Sequence, residues 1–204
     1  MIPLYRSANP APVLWNVVKT LAVVAVFNAV VVWAIPTLIV SYQRESGDFY
    51  ALFFPQQVVA GTIVLVLASA VVLSAALMLA IKGGGTPLSF DAPRRLVIRG
   101  PYGWLRAPMV TGTLMQGVGI GVMTGSIVVI VLFFAFALCW NTLVRPHEEN
   151  QMQHLWGREF EAYRRNVRCW LPLRWAWTPP DDAPPISLDD TADPGRQRRR
   201  KGRR

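Results

Sequence analysis

Apolar positions in this chain run in blocks rather than alternating with polar ones at strand spacing. Residues 14–40 (LWNVVKTLAVVAVFNAVVVWAIPTLIV) and 58–81 (VVAGTIVLVLASAVVLSAALMLAI) are predominantly apolar. At about 1.5 Å per residue each is long enough to cross roughly 30 Å of bilayer hydrocarbon. Two shorter blocks follow, 108–123 and 126–144, which meet at Thr124-Gly125-Ser126. The pattern predicts an all-α integral membrane protein of about four transmembrane helices, the last two forming a tight hairpin. Lys19 ahead of an apolar run gives the first block some likeness to a secretory signal, but the run exceeds a signal core and no cleavage site follows. Pro36 predicts a break or kink near the far end of that helix.

Charge sharpens the topology. The chain of 204 residues is 52% hydrophobic and 16% charged, with a net charge of +9. Such a balance invites a nucleic-acid reading, but the positions argue against one. Segment 41–57 holds one basic residue, Arg44, and two acidic ones. Segment 82–107 holds Lys82, Arg94, Arg95, Arg99 and Arg106, and thirteen more basic residues follow Val144. Four crossings with both termini cytoplasmic place the basic segments inside, in a bacterial-type inner or plasma membrane. Membrane lipid is therefore the expected partner, and nucleic acid is not. Cys139 and Cys169 fall at different depths, so no disulfide is expected.

The polar stretches divide into three. KGGGTPLSFDAPRRLVIRGPYGWLRAP (82–108) is too rich in Gly and Pro for a long helix. Its apolar residues Leu88, Phe90, Leu96, Val97 and Ile98 suggest a structured loop against the membrane. Residues 145–177 form an amphipathic cytoplasmic extension with a turn at Gly157, and Trp170, Trp175 and Trp177 suit the headgroup level. Residues 178–204 have little apolar content and segregated charge, which predicts a disordered tail. Residues 1–177 are thus read as one membrane domain.

Several motifs carry less than they suggest. GVGIGVMTG (117–125) lies inside an apolar block with no strand before it, so Gly117, Gly121 and Gly125 read as a helix-packing face and not a dinucleotide loop. GGGT (83–86) lacks the lysine of a phosphate loop. HEENQMQH is not the HExxH pattern, and no metal site is expected. His147-Glu148-Glu149 beside Arg145 is better placed. Tyr102, Arg106 and Pro108 lie at the same expected membrane level, and the X-Pro pairs at 100–101 and 107–108 stiffen that wall. Two carboxylates and two guanidiniums near aromatic rings suit a zwitterionic small molecule.

RGPYGWLRAPM-x2-G, an apolar hairpin, EENQMQHLWG, and then Tyr163-x3-Val167-x3-Leu171-Pro172 resemble the isoprenylcysteine carboxyl methyltransferase and phospholipid methyltransferase group. The resemblance runs from Gly100 to Pro172, about a third of the chain. It implies a membrane methyltransferase using S-adenosylmethionine. Carried over, Tyr102, Arg106, Ala107, Pro108 and Met109 form one wall of the cofactor site. Glu148 and Glu149 approach the polar end of the cofactor, and Tyr163, Leu171 and Pro172 form a returning lid. Arg145 and Glu149 are the implied catalytic pair, with Arg145 holding an anionic acceptor at the bilayer edge. The acceptor is a small or lipophilic carboxylate, amine, thiol or isoprenoid. Three departures stand out. Ala107 replaces the family histidine, Met109-Val110 stand where a bulky residue and a tyrosine are usual, and Val167-Arg168 replaces Val-Pro. A non-catalytic lipid-binding or scaffold protein that retained the fold is the alternative.

Overall fold

A computed structural model describes residues 11–47, 52–87, 91, 93–172 and 175–178. These residues form five helices: α1 Val13–Ser46, α2 Gln57–Gly83, α3 Pro101–Trp104, α4 Pro108–Thr124 and α5 Ile127–Asn166. There is no strand among them. Helices α1, α2 and α5 are long and apolar enough to cross a membrane, so the chain is an integral membrane protein. Helix α4 has 17 residues and reaches about 25 Å by its rise alone.

All three long helices contain a π turn: Leu79–Gly83 ends α2, and in α1 and α5 the π turn ends two residues before a proline. In α1 the π stretch is Asn28–Ala34 ahead of Pro36, and in α5 it is Trp140–Val144 ahead of Pro146. A proline in a helix interior lacks an N–H and drives its ring against the carbonyl four residues back. Lengthening the hydrogen-bond span to five residues, as from the Ile35 N–H to the Val30 carbonyl and from the Arg145 N–H to the Trp140 carbonyl, moves that carbonyl aside. The break expected at Pro36 is therefore a widened turn inside a continuous helix. The helix also runs six residues past the end of its apolar block.

The chain divides into two compact units. One comprises residues 21–76 and 107–146. In it, α4 and α5 form the expected hairpin. Gly125 adopts φ 75° and closes α4. Its N–H donates to the Val122 carbonyl and the Ser126 N–H to the Gly121 carbonyl, the paired bonds of a Schellman ending. The Ser126 side chain then caps α5 by accepting from the Val129 N–H.

Glycines set how closely the helices of this unit approach. A Cβ on Gly117 would lie 1.9 Å from Phe133, and one on Gly121 would lie 2.3 Å from Ile130, both on α5. On another face, a Cβ on Gly119 would meet the Leu65 nitrogen of α2 at 2.8 Å and the Gly61 carbonyl at 2.9 Å. The packing role expected for Gly117 and Gly121 holds, and a further glycine face turns to α2. Polar side chains tie α1 and α2 to α4 and to the hairpin turn. Gln116 Nε2 donates to Asn28 Oδ1 at 2.8 Å and to Ser69 Oγ at 2.9 Å, and Ser126 Oγ donates to Gln43 Oε1 at 2.7 Å. Such bonds hold helices together where water cannot compete.

The other unit comprises the described parts of residues 1–20, 77–106 and 147–204. Its loop is structured, as expected. The Gly83 carbonyl accepts from the Arg94 and Arg95 N–H groups, and Thr86 N–H donates to the Asp91 carbonyl. Lys19 Nζ pairs with Asp91 Oδ2 at 2.6 Å. Val97 and Ile98 are buried. The anchors expected at Leu88 and Phe90, and the tail from 179 onward, lie outside the described residues. Helix α5 breaks at Gly157, whose φ of 49° and ψ of −116° suit a residue without a Cβ. Beyond the break, Phe160, Tyr163 and Val167 recur at spacings of three and four, and so share one face. With Trp156 and Ile98 they form the buried core of this unit.

Candidate functional site

The site gathers where the loop after α2 meets the second half of α5, within one unit. Gly100 at φ 64° turns the chain into the single helical turn α3, with Pro101 as its first residue. Tyr102 lies in that turn, and its carbonyl accepts from Tyr163 Oη at 2.8 Å. The Gly103 carbonyl accepts from the Trp177 N–H at 2.9 Å, and the Arg106 N–H donates to the Arg168 carbonyl at 3.0 Å. Three hydrogen bonds thus tie the GPYGWLR segment to the end of α5 and the return strand of chain behind it.

These ties carry an ion pair. Arg106 Nη1 lies 2.7 Å from Glu149 Oε1, with the two side chains only 11% and 18% exposed. Arg164 Nη1 approaches the other oxygen, Oε2, at 3.7 Å from a more exposed position. Glu149 is thus held between two guanidiniums, one buried and one at the rim. Two buried donors in this unit remain unused: Arg106 Nε and Trp156 Nε1, the latter in the core cluster, have no hydrogen-bond partner. Buried donors without acceptors are costly, on the order of 1–3 kcal/mol each.

The neighbouring carboxyl behaves differently. Burial pushes Glu148 up to about 7, and the charge of Glu149 adds to the rise. The two adjacent glutamates therefore have distinct roles near neutral pH: Glu149 is the ion-pair partner, and Glu148 can hold or release a proton. Burial also raises Tyr102 well above its ordinary value, with Tyr163 and Glu148 contributing further. Tyr163 is raised chiefly by burial, against the lowering influence of Arg106. Both phenols stay neutral, which keeps Tyr163 a donor to Tyr102. Its ring has Phe160 edge-on at 6.3 Å and Trp177 tilted at 6.2 Å.

Of the residues expected at the site, the structure brings Tyr102, Arg106, Glu148, Glu149 and Tyr163 together. Ala107 is the N-cap position of α4, where its carbonyl accepts from the Thr111 N–H. Pro108 is buried at the first turn of α4 and Met109 is half-buried beside it. Arg145 donates to Asn141 Oδ1 one turn back, at 2.9 Å. Leu171 is 63% exposed and Pro172 is also exposed. Arg164, Trp156 and Trp177 were not anticipated at the site. Arg164 sits in an arginine pair that reads as a solvated helix end, although its position one residue after Tyr163 placed it within reach.

No curated protein matches the chain. A family model described as phospholipid methyltransferase matches residues 56–159, a stretch that runs from the start of α2 past Arg106, Glu148 and Glu149. With just over half of its length matched and three membrane-length helices, the chain belongs to the phospholipid methyltransferase family.

Proposed function

We propose that the chain is an S-adenosylmethionine-dependent methyltransferase acting on a small or lipophilic acceptor at the cytoplasmic face of the bilayer. In this reading α4 is a fourth crossing, both termini are cytoplasmic, and residues 1–177 act as one catalytic domain. The distribution of basic residues supports that orientation. The observation that carries the chemistry is the buried Arg106–Glu149 pair with an unused guanidinium N–H.

The donor set suits the cofactor. Arg106 Nε–H and Trp156 Nε1–H are buried donors that a carboxylate would satisfy. Glu149 offers a carboxylate to an ammonium or to ribose hydroxyls. When bound, the cofactor supplies an electrophilic methyl group on a sulfonium. The protein's work is then orientation and exclusion of water. The family resemblance assigns Tyr102, Pro108 and Met109 to a stiff wall, and Tyr163, Leu171 and Pro172 to the returning side. Glu148, with its carboxyl raised to about 7, is suited to take the proton that an amine or thiol acceptor must lose. Arg145 would hold an anionic acceptor at the membrane boundary.

Calorimetric titration of the purified, detergent-solubilised protein with S-adenosylmethionine tests this reading. Micromolar binding that is lost in Glu149→Ala supports it. Absence of binding up to millimolar concentration overturns it in favour of the second reading, a non-catalytic lipid-binding or scaffold protein, for which Ala107 at the family histidine position is the specific support.

A further inference from the structure

Helix α1 carries one face whose character changes along its length. Trp33, Pro36 and Val40 recur at helical spacing and are followed on the same face by Ser41, Arg44 and Glu45. With Ile120 and Met123 from the last turns of α4 they line an open groove of about 420 Å³. The walls are apolar at the Trp33 end, and the charges lie at the Arg44 end. From Pro108, at the start of α4, to Ile120 is 12 residues or about 18 Å along the helix. The groove therefore lies at the far end of α4 from Pro108.

We propose that this groove binds one zwitterionic glycerophospholipid as a resident, non-reacting ligand. Eleven residues separate Trp33 from Arg44, about 17 Å of helix, which is close to the roughly 15 Å depth of one leaflet's hydrocarbon. A lipid with its headgroup at Arg44 would lay an acyl chain past Met123 toward the exposed Trp33, over a floor formed by the buried Val40 and Pro36. Arg44 and Glu45 are neighbours of opposite charge, and neither has an ion-pair partner among the described residues. A phosphate matches the guanidinium and an ammonium matches the carboxylate. A lipid of net negative charge would satisfy Arg44 but face Glu45, and an uncharged diacylglycerol would satisfy neither. The inference rests on the membrane crossing of α1 and does not depend on the methyl-transfer reading.

Native mass spectrometry of the full chain, released from detergent with defined lipids, tests it. The probes are dioleoylphosphatidylethanolamine, dioleoylphosphatidylglycerol and dioleoylglycerol. The wild type should retain a single phosphatidylethanolamine at least about tenfold more tightly than either competitor, a difference of about 1.4 kcal/mol. Arg44→Ala should lose the preference over dioleoylglycerol, and Glu45→Gln should lose the preference over phosphatidylglycerol. Thr37→Trp, which fills the groove from an exposed position lining it, should reduce retention of every lipid. Equal retention of the three lipids by the wild type overturns the proposal, as does selectivity that survives both charge substitutions.

Discussion

Arg106 and Glu149 are 43 positions apart in the chain, yet their charged groups meet at 2.7 Å with little exposure on either side. The contact joins the GPYGWLR turn to the helix that leaves the hairpin. Removing one partner strands the other as a buried charge, which costs about 3 kcal/mol or more. Glu149→Gln should therefore lower the thermal midpoint and weaken S-adenosylmethionine binding at least tenfold, while the protein remains helical and inserted. Arg164 is exposed and lies 3.7 Å from the same carboxylate, so Arg164→Ala should cost under about 1 kcal/mol. Thermal midpoints in one detergent, read beside titrations, give the ranking. Equal losses in the two variants would refute the division into a buried pair and a rim contact.

Glu148 makes stability depend on pH in a defined direction. Its carboxyl is raised from 4.5 to about 7, first by burial and then by Glu149. A raised acid binds its proton more tightly in the folded state, so its contribution disfavours folding as pH increases. The penalty is absent below about pH 4.5, grows through the interval, and is complete above about pH 7, reaching about 3 kcal/mol. Glu148→Gln removes it. The variant should melt above the wild type at pH 8 and together with it near pH 4.5. A gain of equal size at both pH values would show that the carboxyl is not titrating there.

The features that follow from hydropathy were legible in the sequence, and those that depend on which polar groups meet were not. The hairpin at Thr124-Gly125-Ser126 could be read because two apolar blocks abut there and Gly125 suits a left-handed ending. The end of α1 at Ser46 was missed because Ser41–Ser46 is polar yet compatible with a helix. Buried Gln43 accepts there from Ser126, the cap residue of α5. Glu149 stood out beside a membrane boundary. Arg164 did not, because an arginine near a helix end is more often solvated. Composition suits Trp177 to the headgroup belt but does not show that its ring packs on Tyr163 or that its backbone N–H donates to the Gly103 carbonyl.

Ala107 bears directly on whether the family histidine is needed. The residue is half-exposed at the N-cap position of α4, and its bond to the Thr111 N–H uses the backbone carbonyl. A side chain added there leaves that bond intact. Ala107→His should fold as the wild type does and bind S-adenosylmethionine at least as tightly by calorimetry. A tenfold or greater loss would mean that the wall has been rebuilt around a small residue.

Gly117 and Gly119 sit two residues apart on α4, yet they should respond differently to the same added methyl. A Cβ at Gly117 meets the Phe133 ring, a side chain that a second substitution can shrink. A Cβ at Gly119 meets the backbone of α2 at Leu65 and Gly61, which can yield only by moving the helix. Overpacking typically costs about 1–3 kcal/mol, so both single alanine variants should melt below the wild type. In a Phe133→Ala background Gly117→Ala should cost far less than in the wild type, because that change removes Cγ and both Cδ atoms, the ones the methyl would meet. The same change should not rescue Gly119→Ala, whose obstruction lies on another helix. Thermal midpoints of the two singles, the two doubles and Phe133→Ala alone decide the matter. Rescue of both, or of neither, would show that the two glycine faces are not separate.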